Sequence, residues 1–212
     1  HSEAAQKARE SILNGSFAFC RKVSCPYCER DELPDLTEEE LAKAAVPTPV
    51  PVSINIANDH ICNIACTNCR TAIYCPEEGE REKIDDALER LLPFANQTKF
   101  LGMNGGGEFL GNPSFLKFLE RLRPERSDLH LSFETNGVLF DEAHWGRFSH
   151  LGEYRINVTV TINSIRRETY AYLSGGFDHL DRVLNNLRFL SKLRREEKIN
   201  NLAVTIVVQE CN

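Results

Sequence analysis

No apolar run in this sequence approaches the roughly 20 residues that a helical membrane span requires. The first residues, Ser2 to Glu10, are polar and lack the basic-then-apolar pattern of a secretory leader. The expected compartment is therefore the cytoplasm, with no membrane partner. There is no basic excess either: 25 Lys and Arg against 31 Asp and Glu leave a formal charge of −6. Nothing in that balance draws the chain as a whole to nucleic acid or anionic lipid. The short basic runs Arg166-Arg167 and Lys192 to Arg195 read as solvated helix faces. Histidines are few and scattered. His130, His144, His150 and His179 share no motif, and no Ser or Cys nucleophile sits in a recognised elbow beside them, so acyl transfer is unsupported. His60, two residues before a cysteine loop, is the one histidine placed to support a site. The signs of disorder are missing too. With 42% hydrophobic and 26% charged residues, the 212-residue chain can bury the core of one domain or slightly more.

Cysteine is what the chain has in quantity. Its eight cysteines cluster on two loops instead of spreading along the sequence, which in a cytosolic protein favours metal or redox use over a disulfide framework. One loop reads Cys62-Asn63-Ile64-Ala65-Cys66-Thr67-Asn68-Cys69. Three thiolates at this spacing can hold three irons of a four-iron four-sulfur cube and leave the fourth without a protein ligand. An iron left open in that way is a place for chemistry, as is the open position of catalytic zinc. A structural zinc module is the competing reading, because Cys25-x2-Cys28 and Cys66-x2-Cys69 are pairs of the kind such sites use. Cys25-Pro26-Tyr27-Cys28 is also a dithiol oxidoreductase tetrapeptide. That chemistry needs a strand before the motif and a helix after it to lower the thiol pKa. Here Arg21-Lys22 precede it, and the acidic stretch Glu29 to Pro34 is soon broken by proline.

From residue 52 onward, short β-branched runs alternate with amphipathic stretches, the signature of βα units on a parallel sheet. Strands are expected at Val52–Ala57, Lys99–Met103, Leu129–Thr135, Arg155–Ile162 and Leu202–Val208. Helices are expected at Glu80–Leu92, Ser114–Leu122, Glu142–Phe148 and Leu180–Arg195, with Ile84, Leu88, Leu91 and Leu92 at helical spacing. Ligand-binding loops of parallel sheets gather at the carboxyl ends of the strands. The unusual loops fall there in order: the cysteine loop after the first strand, Gly105-Gly106-Gly107-Glu108 after the second, Thr135-Asn136-Gly137 after the third and Asn163-Ser164 after the fourth. Taken singly, the glycine run and Asn136-Gly137 are also ordinary turn sequences. A zwitterion bound at an iron needs backbone close to it, which glycine permits, and the Glu108 carboxylate could accept hydrogen bonds from its ammonium group. Glu108 could equally be an acid favoured at a helix start.

The cysteine spacing followed by Gly105 to Glu108 resembles the radical S-adenosylmethionine (SAM) superfamily. The resemblance implies a partial (β/α)6 barrel in which Cys62, Cys66 and Cys69 ligate a [4Fe–4S] cluster. It further implies that Gly106, Gly107 and Glu108, with Gly105 beside them, bind the amino group of SAM, and that Thr161 and Asn163 help hold its ribose or carboxylate. Thr135-Asn136-Gly137 is similar to an element that many members carry after the third strand, and the resemblance makes Thr135 and Asn136 candidate SAM-binding residues. The activity implied is reductive cleavage of SAM to a 5′-deoxyadenosyl radical that abstracts hydrogen from a substrate, fed by an external one-electron reductant. Asn68 stands where members often have an aromatic residue or histidine, and Phe109 where they often have proline, so packing around the adenine is expected to differ.

Residues 1–50 follow other rules and are read as an extension ahead of a barrel at residues 51–212. The extension opens with a helix at Glu3–Leu13, presents Cys20, Cys25 and Cys28, and ends in an extended linker at Pro47, Pro49 and Pro51. It is similar to the end of the auxiliary-cluster region of some radical SAM proteins. By analogy with those members the substrate is expected to be a peptide or protein, and Cys20, Cys25 and Cys28 a possible second iron-sulfur site completed by Cys75, Cys211 or a residue elsewhere. Five βα units against the family's six lead to the expectation that the chain is a fragment.

Overall fold

The computed structural model describes residues 3–19, 26–30, 32, 37–46, 48–57, 60–104 and 106–210. Cys20, Cys25, Gly105 and Cys211 lie outside the described residues, as does the side chain of Cys28. The chain divides into two compact units, His1–Pro49 and Val50–Asn212.

The first unit holds α1 (Glu3–Leu13), a single turn α2 (Pro26–Glu29) and α3 (Glu38–Ala45). The last begins in a capping box: Thr37 Oγ1 accepts the Glu40 N–H, and the Glu40 carboxylate accepts the Thr37 N–H at 2.9 Å. The Thr-x-x-Glu spacing carries that signal in the sequence, but α3 is not among the helices expected from periodicity.

The second unit alternates strand and helix: β1 (Ser53–Ile56), α4 (Glu78–Gln97), β2 (Phe100–Met103), α5 (Pro113–Arg121), β3 (His130–Thr135), α6 (Glu142–Phe148), β4 (Arg155–Thr161), α7 (Arg167–Leu173), α8 (Leu180–Arg195) and β5 (Asn201–Thr205). The five strands pair in sequence order and every pair is parallel, so the sheet is open and resembles part of a (β/α) barrel. Register places Ile56, Met103, Phe133 and Val158 across from one another. These residues are buried with the apolar faces of the helices. Behind β3 the core is aromatic: Phe109 stacks on Phe133 at 5.1 Å, and Phe148 meets Phe133 and Trp145 edge-on.

Residues of the other parity face away from the helices and are mostly polar. Asn55, Ser132, Asn157 and Asn201 form one row across the strands, with Gly102 between the first two. A parallel sheet normally reads apolar on both faces. This one keeps a hydrogen-bonding face beneath the carboxyl-end loops. At the edge, Val204, Ile206 and Val208 are exposed.

Two differences from the periodicity have local causes. Helix α4 runs through Pro93 to Gln97 instead of ending at Leu92. A proline inside a helix costs about 3 kcal/mol, and the tertiary contacts beyond it offset this. Ala95 is fully buried, Asn96 takes the backbone N–H groups of Arg123 and Glu125, and Thr98 Oγ1 donates to the Pro51 and Val52 carbonyls. Helix α7 has only Tyr170 and Leu173 buried and no side-chain cap at Arg166, so it leaves little periodic signal. Helix α5, in contrast, has Asn112 as cap to the Ser114 N–H at 2.8 Å and Pro113 at its first position.

Candidate active site at the carboxyl ends of the strands

Because all five strands run the same way, the loops that leave their carboxyl ends share one rim. There they enclose a cleft of about 290 Å³ lined by Cys62, Cys66 and Cys69, by Gly106, Gly107 and Glu108, and by Glu134, Thr135, Asn136 and Thr161. Cys62 and Cys66 are half-buried and Cys69 is exposed, all three as free thiols. Burial pushes the Cys62 thiol pKa up. Among the described residues no three donors converge on the position of a single metal ion.

The cysteine loop is anchored from both sides. Ala65 and Thr67 donate their backbone N–H groups to the carbonyls of Ser174 and Leu173 at the end of α7. Gly175 follows at φ +76°, and a Cβ there would be driven into the Ala65 carbonyl oxygen. On the opposite side the Glu108 N–H donates to the Ile61 carbonyl at 2.7 Å. A Cβ on Gly107 would collide with that same carbonyl. The glycine is therefore required by the crossing of two protein segments, in addition to any ligand. Arg70, which sequence reasoning missed, clips the two loops together through the carbonyls of His60 and Gly106.

Glu108 points inward. It is 1% exposed. Thr135 Oγ1 donates to its carboxylate at 2.8 Å, and the backbone N–H groups of Asn136 and Leu110 donate at 2.7 and 3.4 Å. Burial dominates over these donors and pushes its pKa up to about 7. Phe109 turns into the aromatic core and does not line the cleft. That accounts for a bulky ring at the position after the glutamate.

Asn136 and Asn163 both reach the cysteines. Asn136 Nδ2 donates to Asn63 Oδ1 at 2.7 Å and approaches Cys62 Sγ at 3.7 Å, while Asn163 Nδ2 donates to Cys66 Sγ at 3.3 Å and Ser174 Oγ at 3.0 Å. Asn63 and Ser174 were not singled out in the sequence. Neither residue type marks a site by itself, and Ser174 is distant from Cys66 along the chain. The histidines stay apart: His144 pairs with Asp141 at its helix start, His150 bonds the Leu122 carbonyl and His60 meets the Tyr74 ring edge-on. Cys75 is exposed in a second cavity with Ile73, Tyr74 and Pro76, which Cys62 also lines.

A model of the Radical SAM superfamily matches residues 60–209. The chain belongs to the radical SAM superfamily. Members of the superfamily carry out SAM-dependent radical chemistry, and membership implies a [4Fe–4S] cluster and SAM as cofactors. No curated protein matches the chain. Among solved radical SAM structures, anSMEcpe with bound AdoMet and Cp18Cys peptide is 21% identical, with 74% of this chain and 42% of that one covered at a TM-score of 0.43. Streptococcus suis SuiB bound to S-adenosylmethionine is 14% identical, with 98% and 53% covered at 0.46. BtrN in complex with AdoMet and 2-DOIA is 20% identical, with 72% and 56% covered at 0.39. The chain thus spans about half of each of these proteins. No helix among the described residues is long and apolar enough to cross a membrane.

Proposed function

We propose that the chain carries the catalytic core of an iron-sulfur enzyme that abstracts hydrogen from a peptide or protein substrate. The observation that carries this is the placement of Cys62, Cys66 and Cys69 in one cleft with Gly106, Gly107, Asn136 and Thr161. The donor set suits a cluster, which gives each thiolate an iron of its own and leaves one iron open. When bound, the cluster supplies the electron, drawn from an external one-electron reductant, that splits SAM into methionine and a 5′-deoxyadenosyl radical.

The residues of the chain bind and orient. Gly106 and Gly107 bring bare backbone to the amino end of SAM. Glu108 holds that turn through Thr135 and Asn136, and its buried carboxylate has no cationic partner among the described residues, so a nearby ammonium group would draw its pKa back down. Thr161 also lines the cleft, where its hydroxyl would hold the ribose or carboxylate. The polar row Asn55, Ser132, Asn157 and Asn201 suits a substrate rich in amide groups, which supports the peptide reading. A second cluster at Cys20, Cys25 and Cys28 is a further proposal.

Iron, acid-labile sulfide and zinc are to be quantified per chain after anaerobic purification. About four iron and four sulfide support the main site, and about eight of each add the second. The Cys66→Ala variant should lose the main cluster; full iron retention there, or about one zinc with no sulfide in the parent chain, overturns the reading.

A further inference from the structure

Each of the three cysteine sulfurs is met by one side-chain N–H donor. Asn136 Nδ2 stands 3.7 Å from Cys62 Sγ, Asn163 Nδ2 3.3 Å from Cys66 Sγ and Arg70 Nη2 3.5 Å from Cys69 Sγ. The donors come from the loop after β3, the loop after β4 and the residue that follows the last cysteine.

We propose that Asn136, Asn163 and Arg70 are positioning residues that hold the three thiolates by N–H···S hydrogen bonds and raise the reduction potential of the cluster they bind. This rests on the reading of Cys62, Cys66 and Cys69 as cluster ligands. It gives Asn136 and Asn163 a task different from the contact with SAM that family resemblance suggested.

The orientation of each donor is fixed by its other bonds. Asn136 Oδ1 accepts the Val138 N–H at 3.0 Å, which turns the NH₂ group toward Cys62 and Asn63. Asn163 is 6% exposed, and its amide is held by Ser174 Oγ at 3.0 Å, itself fully buried. Arg70 is pinned by the carbonyls of Gly106 and His60. None of the three swings away without breaking a second bond. A reduced cluster carries one more negative charge than the oxidised one, so donors aimed at its sulfurs stabilise the reduced form more. The potential rises and reduction becomes easier. Cys62 and Cys66 are half-buried against the core, which limits the water available to supply the same bonds.

The test is an EPR-monitored redox titration of the reconstituted chain and of Asn136→Ala, Asn163→Ala and Asn163→Asp, with iron and sulfide counted in each. Both alanine variants should be harder to reduce, the ratio of reduced to oxidised cluster at a fixed poise falling by up to about tenfold, or ~59 mV for one electron. Asn163→Asp should fall further, because an acceptor then faces the sulfur. The parent chain gives an independent readout if a variant loses its cluster: with nitrogen-15 asparagine, pulsed EPR of the reduced cluster should show nitrogen coupling through the sulfurs. Unchanged potentials with the iron content intact, or absent coupling in the parent chain, overturn the inference and leave the cluster reading standing. A parent chain that takes up neither iron nor sulfide overturns both.

Discussion

Asn136 donates its backbone N–H to Glu108 Oε2 at 2.7 Å, and this bond ties the loop after β3 to the turn after β2. Together with Thr135 it leaves the carboxylate buried, with a pKa raised by burial from 4.5 to about 7. The folded chain therefore holds a proton that the unfolded chain has already released. The contribution to stability is fully present below about pH 4.5, is lost as pH rises toward about 7 and is flat above that, with a slope of at most about 1.4 kcal/mol per pH unit. Glu108→Gln removes the titration. The urea-unfolding free energy of the apo chain, compared with that of the variant, should lose ground between about pH 4.5 and pH 7. A constant difference between the two proteins would show that Glu108 does not titrate in this window.

Gly107 and Gly79 make a matched pair of tests. A methyl group on Gly107 meets the Ile61 carbonyl, whereas one on Gly79, in the first turn of α4, meets nothing within 4 Å. Gly107→Ala should destabilise by about 1–3 kcal/mol, the usual range for overpacking. Gly79→Ala should stabilise by up to about 1 kcal/mol through helix propensity. Denaturation midpoints with unchanged slopes would verify both. If Gly107→Ala matched the parent chain, the crossing at Ile61 would be looser than described.

The sheet was legible because its strands are β-branched runs bounded by turn residues, and helices such as α5 and α8 because their apolar residues recur at helical spacing. Pattern could not foresee Pro93 inside α4, where long-range bonds from Asn96 and Thr98 decide the outcome. The chemistry of the rim was legible as residue types: three cysteines, a glycine run, Thr135-Asn136-Gly137. Their mutual bonds were not. Asn163 and Ser174 are close because α7 folds back on the cysteine loop, and a helix with two buried residues leaves almost no trace in a sequence. The inward turn of Glu108 likewise depends on Thr135, 27 residues away.

Asn186 shows how α8 reaches the site from behind. It is buried, and its Nδ2 donates to the carbonyls of Gly137 at 2.8 Å and Val138 at 3.0 Å. Asn186→Ala leaves two carbonyls without these donors and should cost about 1–3 kcal/mol. Asn186→Asp should cost more, since a carboxylate would face those oxygens. Thermal unfolding of the apo chain gives the order parent, alanine, aspartate. An aspartate variant as stable as the parent would refute the donor role.

Thr161 separates SAM binding from cluster binding. It ends β4 and lines the cleft without standing among the side-chain donors to the cysteine sulfurs. If its hydroxyl holds the ribose or carboxylate of SAM, Thr161→Ala loses about one hydrogen bond, near 1 kcal/mol and so roughly fivefold in affinity. Iron and sulfide content should stay at the parent level. Titration calorimetry of SAM into the oxidised, reconstituted chain reads the first quantity, and metal analysis of the same sample the second. Unchanged affinity would remove Thr161 from the SAM site. Weaker affinity accompanied by lost iron would assign it instead to the support of the cluster.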